Sequence, residues 1–390
     1  MEENENQQLS QEDESGLEID TGALPDIEVP FDPSKIDVIV RPMSIGSLSS
    51  RLENNELDLT PDFQRQANVW DIKRKSRLIE SVLLRIPLPS FYLSEDEDGV
   101  YAVVDGLQRL CTIFHFINHA ELNRVTGAKL NPLRLKDLQY LKELEDTSFD
   151  ELDRKFQRRI NELEITANII RASTPPAVKF NVFARLNQGG MPLNAQEIRN
   201  AIYPGTWRKK LQQLANNKSF LKATEGKIKS QRQQDVELVL RFVALWQLGP
   251  PFKRAANKTL DDFLNDTVEK ELRHWGDEKW GAAALAFESA LNAAQAIFGK
   301  HVFRKSVGQS SRTPINRGLF EAELIALSAI SDGDILILIK QKDNIALFLQ
   351  AHLRYGKPLA NALLYATGSA DASNTRISEL TTVFKEVLNA

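Results

Sequence analysis

The chain has 390 residues, 42% of them hydrophobic, enough for a sizeable core and long enough for two domains. It contains no run of about 18 apolar residues and no basic, apolar leader, so neither a membrane span nor export is expected, and the expected compartment is the cytoplasm. A single cysteine, Cys111, excludes an intramolecular disulfide and a cysteine-cluster metal site, and the net charge of -4 divides into -11 over residues 1–37 and +7 over the rest.

That acidic opening is rich in Glu, Asn, Gln and Ser and poor in aromatics, so residues 1–35 are expected to form a disordered tail. It reads as a solubilising leader or as a competitor of nucleic acid for the basic remainder. IDVIV, from Ile36, alternates as a strand does. Ser44 can cap a short helix ending at Asn54-Asn55, and Asp71 a longer one with Leu78, Ile79, Val82, Leu83 and Ile86 at helical spacing until Pro87. Residues 90–93 and 100–104 read as a hairpin around SEDEDG. A helix then starts at Leu107, with apolar positions at Leu110, Ile113, Phe114 and Ile117, and Cys111 beside that face reads as a packed thiol. LEITANII is a further strand. Thr174-Pro175-Pro176 opens a helix ending near Asn187-Gln188-Gly189-Gly190, and Asn194 with Glu197 forms a capping box for the next. From Thr206 onward helical periodicity recurs (236–246, 260–272, 282–297, 319–330, 345–353 and 377–388) with no convincing strand. The expected organisation is a mixed α+β domain over 36–205 and an all-helical domain over 206–390.

The chemistry gathers where the hairpin meets the Leu107 helix. A helix start presents unpaired N–H groups and partial positive charge, which suits phosphate, and Arg109 in its first turn can add a bidentate donor. Gly106 would let a ligand approach the backbone. Asp105 could hold a divalent metal or orient a water, and Gln108 could position that water. Gln64 and Arg65, between Phe63 and Trp70, are a second polar pair that could close a triphosphate pocket. A short glycine-containing turn with an exposed arginine is the plain alternative, since such motifs match by chance.

Four pieces in order, PDFQRQANVW, LIESVLLRIPLPSFYL, VVDGLQRL and FARLNQGGMPLNAQEIRNA, resemble the N-terminal module of GmrSD-type modification-dependent restriction enzymes. The likeness runs from about Ile36 to Tyr203, and RQQDVELVLRFVALW and TLDDFLND resemble the helical extension that usually follows. It implies a ParB/sulfiredoxin-like fold and a nucleoside triphosphate pocket, served by Mg or Mn. The family's Asp-Gly-Gln-Gln-Arg motif, associated with NTP binding and hydrolysis, falls on Asp105, Gly106, Gln108 and Arg109, with Gln64 and Arg65 supporting and Arg185 and Asn187 as further lining. In that reading Asp105, Gln108 and Arg109 are catalytic and Asp105 also holds the metal. The chain departs from the motif at Leu107, where the family usually has Gln. If Leu107 packs on the core, Gln108 and Arg109 stay available; if the missing amide positioned the attacking water, binding would outlast turnover.

Between Thr206 and Gln234 stand eight Lys or Arg residues against one acid, Glu225. Arg208, Lys209, Lys210, Lys227, Lys229 and Arg232 are therefore the nucleic-acid candidates, set against the plain reading of a solvated helical face. FRKSVGQSSRTPINRG reads as an exposed basic connection. His115 and His119, four apart, read as exposed residues of one helix; HFINH lacks the glutamate of a zinc-protease motif. His274, His301 and His352 are too scattered for the HNH nuclease domain that full-length enzymes of this type add. The expectation is a nucleotide-dependent recognition module, an NTPase by the resemblance, of a prokaryotic restriction or antiphage system, acting on DNA, modified or not, with a nuclease or other defence polypeptide as partner and no membrane. A non-enzymatic nucleotide- or partner-binding adaptor and a ParB-like DNA-nicking domain are the alternatives.

Overall fold

A computed structural model describes residues 17–18, 33–59, 70–186, 194–228, 230, 233–256 and 258–389, the side chains of 184–186 excepted. The chain divides into two compact units, one from Phe31 to Pro204 and one built on Gly205–Ala390.

The first unit is α+β. Among the described residues its five strands are β1 (Val38–Ser44), β2 (Leu57–Asp58), β3 (Phe91–Glu95), β4 (Tyr101–Asp105) and β5 (Glu164–Ile170), in the order β1-β5-β3-β4-β2. β1 runs antiparallel to β5, β5 parallel to β3, β3 antiparallel to β4, and β4 parallel to β2. Burial alternates along β5, where Ile165, Ala167 and Ile169 are buried while Glu164 and Thr166 are exposed. Edge strand β1 continues past the IDVIV segment through Pro42, which lies opposite Thr166.

Ser44 ends β1 and also caps helix α1 (Ile45–Glu53), its side chain accepting from the Ser47 N–H. Asp71 does the same for α2 (Ile72–Leu83) through the Arg74 N–H. α2 stops one turn before Pro87, with Arg85 at φ 61°. The hairpin β3–β4 delivers the chain to α3 (Leu107–Ile117). There the expected single helix carrying both His115 and His119 is broken: Asn118 leaves helical geometry and its side chain accepts from the Glu121 N–H, starting α4 (His119–Thr126). α5 (Arg154–Asn161), α6 (Pro176–Leu186) and α7 (Ala195–Ile202) complete the unit, and α7 opens with the anticipated Asn194–Glu197 capping box. Tyr101 and Val103 of β4 join a core with Ile45, Leu48, Ile79, Val82, Leu110 and Phe114. Ala102 and Val104, pointing the other way, are buried as well, because α7 packs against β4.

The second unit is helical: α8 (Trp207–Ala215), α9 (Lys218–Ala223), α10 (Gln234–Leu248), α11 (Leu260–Lys270), α12 (Asp277–Phe298), α13 (Arg317–Ser328), α14 (Asp332–Lys340), α15 (Lys342–His352), α16 (Pro358–Ala362) and α17 (Ala370–Asn389). Phe220, Phe242, Phe287, Phe303 and Phe320 meet in tilted and edge-on ring contacts at its centre. Through the same core runs a buried ion network. Arg241 on α10 donates to Glu321 on α13 at 2.8 Å and to Glu237 at 2.6 Å, and Arg376 on α17 donates to the other Glu321 oxygen at 3.1 Å. The segment expected as an exposed basic connection is exposed at its middle, Gly308 to Arg312, but its ends turn inward: Phe303, Arg304 and Ser306 are buried, and Arg312 is paired with Glu225. Of the acidic tail, Leu17 and Glu18 are described; Leu17 forms a bridge with Ile315 of this unit. No helix among the described residues is long and apolar enough to cross a membrane.

Candidate functional site

Asp105 is the last residue of β4, and Gly106 turns the chain into α3 with φ 94°. That value belongs to the left-handed region and favours glycine. A second constraint is steric, since a Cβ on Gly106 would lie 2.2 Å from Cδ1 of Phe91. On the side where a Cβ would stand, this glycine faces a phenyl ring of β3. Gly106 also brings no side chain to cap α3.

Arg109, one turn in, is held from four sides. One Nη donates to the Pro89 carbonyl, the other to Ser90 O at 3.2 Å and to Asp105 Oδ2 at 3.1 Å, and the guanidinium carbon lies 4.3 Å from the centre of the Phe91 ring. Burial lowers its proton affinity while the Asp105 charge opposes this. The side chain of Arg109 is 13% exposed and that of Asp105 49%. The arginine is therefore a bracket that fixes one carboxylate oxygen and leaves the carboxylate accessible. Gln108 is half-buried, and its carbonyl accepts from Thr112 Oγ1 at 2.8 Å. Leu107 packs against the core, as its spacing suggested.

Behind α3 lies a buried polar group. His115 Nε2 is 2.8 Å from the Asn131 carbonyl, which can only accept, so Nε2 carries the proton and Nδ1 faces Lys75 Nζ at 3.5 Å. Burial lowers the pKa of both Lys75 and His115 and raises that of Cys111 well above its usual value. The expected solvent exposure of His115 is thus wrong: it is 7% exposed, because the side of α3 away from the Leu110–Ile113 stripe is covered by α2 and the segment around Asn131. Cys111 is the packed thiol its position suggested.

α7 adds residues to which no role was assigned in advance. Gln196, Arg199 and Asn200 are buried, with Arg199 Nη1 donating to Gln196 Oε1 at 2.6 Å and Gln196 Nε2 to Asn200 Oδ1 at 3.0 Å. The signal was available in AQEIRNAI, a short helix with polar residues at i, i+3 and i+4 beside apolar Ile198 and Ile202. On α6, Lys179 is buried too, donating to the Glu95 carbonyl at 2.6 Å.

Gln64, Arg65 and Asn187 lie outside the described residues, as do Lys229, Arg232 and the side chain of Arg185. Of the basic stretch, Arg208 is buried in α8 and so is not on the expected phosphate-facing surface. Its helical register turns it inward beside Trp207, which is fully buried. Lys210 is paired with Asp277 at 2.7 Å, Lys227 lies 3.5 Å from Glu225, and Lys209, Lys218 and Lys222 are exposed. Among the described residues no three His, Cys, Asp or Glu side chains are grouped to hold a metal ion. A magnesium-type site needs only one or two carboxylates when substrate phosphates and waters complete it, and the accessible Asp105 fits that limited part.

No curated protein and no solved structure matches the chain. Residues 45–204 match the family model described as the GmrSD restriction endonuclease, N-terminal domain. These residues span β2 to β5 with α1 to α7, and so include the Asp105–Arg109 junction and the Gln196–Asn200 group. Over that segment the chain is similar to the GmrSD N-terminal domain.

Proposed function

We propose that this chain is a nucleotide-binding recognition module of a prokaryotic DNA restriction or antiphage defence system. The observation that carries the reading is the accessible Asp105 carboxylate, oriented by Arg109 at the start of a helix that lacks its own capping side chain, within a GmrSD-type domain. Phosphates would meet the α3 start, where N–H groups and helix dipole favour anions. Asp105 would share a Mg or Mn ion with them, the ion supplying charge neutralisation of the phosphate oxygens. Gln108 would orient the water, and Arg109 would hold Asp105 in position. Gln64, Arg65, Arg185 and Asn187 would line the remaining side. DNA would be met by the exposed lysines, Lys209 first, through sequence-independent phosphate contacts. Cleavage would be supplied by a partner nuclease.

The deciding experiment is calorimetric titration with each of the four ribonucleoside triphosphates and Mg or Mn, followed by phosphate release with and without DNA. The reading expects at least one nucleotide to bind, and Asp105→Asn to keep binding while losing phosphate release. Failure of all four to bind would overturn it. A second reading, a non-enzymatic adaptor, is favoured by the same Arg109: its guanidinium is already committed to two carbonyls and a carboxylate. It predicts nucleotide binding without release in the wild type.

A further inference from the structure

Leu17 and Glu18 come from the most acidic part of the sequence, yet they are seated in the helical unit with the contacts of a bound peptide. Leu17 is fully buried. It bridges Ile315 in parallel fashion, and the Glu18 N–H donates to the Ile315 carbonyl at 2.8 Å. Both oxygens of the Glu18 carboxylate are used, one accepting from Lys305 Nζ at 2.6 Å and the other from Asn316 Nδ2 at 2.7 Å. Arg317 Nη1 reaches the Glu18 carbonyl at 2.8 Å. The receiving surface is a pocket for one apolar side chain, a strand-like edge for one peptide unit, and a cation and an amide for the next side chain. Backbone pairing at an edge with alternate side chains read by pockets is a recurring mode of peptide recognition.

We propose that Lys305, Ile315, Asn316 and Arg317 form a peptide-docking site that reads an extended Leu-Glu pair, and that the chain's own acidic N-terminal segment is its ligand in cis. The segment's charge of -11 matches a receptor that contributes Lys305 and Arg317. Both ends of the ion pair are largely sheltered, Lys305 at 21% exposure and Glu18 at 11%, so among the described residues an empty site would leave Lys305 only its contact with the Leu363 carbonyl at 3.4 Å. A free peptide of the same sequence therefore competes with a tethered one, whose effective concentration is in the millimolar range for a flexible connection.

The test is fluorescence anisotropy with a labelled synthetic peptide spanning Gln11 to Gly22, added to the full-length chain and to the full-length double variant Leu17→Ala/Glu18→Gln. The variant should bind at least about tenfold more tightly than the wild type, since its own segment no longer occupies the site. Peptides carrying Leu17→Ala or Glu18→Lys should lose that binding, and they need no change in the protein. Lys305→Ala in the variant, with folding checked by circular dichroism, should weaken it as well. Equal binding by both chains, no binding by the variant, or indifference to the peptide substitutions would overturn the proposal. Concentration-dependent dimerisation of the wild type that the double variant abolishes would overturn the assignment in cis.

Discussion

Arg109 shows how one side chain can tie a strand end to a helix start through carbonyls, a carboxylate and a ring at once. Its fork spans the Pro89 and Ser90 carbonyls and Asp105 while its face lies on Phe91. A lysine offers a point charge with neither fork nor plane, so Arg109→Lys should behave almost as Arg109→Ala. Either should lower stability by about 1–2 kcal/mol in urea unfolding and cut phosphate release, if release is present, by more than it cuts nucleotide affinity. Asp105→Asn removes only a half-exposed pairing, so its stability should change by less than about 1 kcal/mol. Glu80 on α2 provides a pH signature. Burial pushes its carboxyl up, but the N–H groups of Gln139, Leu141 and Tyr140, all within 2.9 Å, outweigh that and hold it below the ordinary glutamate range. Its contribution is complete above the unfolded value and is lost as pH falls through the depressed folded one. Glu80→Gln should cost about 1.5–3 kcal/mol at neutral pH and much less near pH 3, read by urea unfolding at both. The Asp-Gly-x-Gln-Arg grouping was legible as a strand-to-helix junction, because turn chemistry and helical spacing are local. That Arg109 would be consumed by carbonyls about 20 residues earlier was not, since carbonyls carry no sequence signature.

At the level of the element, the β4–α3 turn is the tightest constraint in the first unit. Gly106→Ala must place a methyl against Phe91 and hold a φ that L-residues rarely adopt. It should cost about 2–4 kcal/mol and lower the midpoint of thermal unfolding. A stability change within experimental error would show that the turn relaxes freely. The caps at Ser44, Asp71 and Asn194 could be read in advance because each signal lies within three residues of its target. Asn118 with Glu121 carried the same kind of signal, and the apolar run through Phe116 and Ile117 masked it. The basic stretch misled for another reason: charge density says nothing about direction, and the register of α8 turns Arg208 into the core while leaving Lys209 outside.

Across the molecule, the two-part organisation follows from the change in periodicity near residue 205, where alternating segments end and helical spacing takes over. What the periodicity could not disclose was the ion network inside the helical unit, assembled from α10, α13 and α17. Burial pushes the Glu321 carboxyl up, but Arg241 and Arg376 overcome this and keep it ionised. Glu321→Ala would leave buried Arg376 without its carboxylate and Arg241 with Glu237 alone, a loss of about 3–5 kcal/mol in chemical unfolding. A milder loss would mean that water reaches the network. Glu18 was equally invisible, its amide partner Asn316 lying 298 positions away. The edge strand β1 has a consequence of a different kind. It is a seven-residue strand carrying Val38 and Val40, the latter 65% exposed, and such an edge is a template onto which another chain can add. Pro42 interrupts that template, because a residue without an N–H sits in a strand only where the ladder does not need the donor. The row of donors offered at the β1 edge is thus broken near its middle, and growth of the sheet by head-on pairing of copies is checked at the covalent level, whatever the protein concentration.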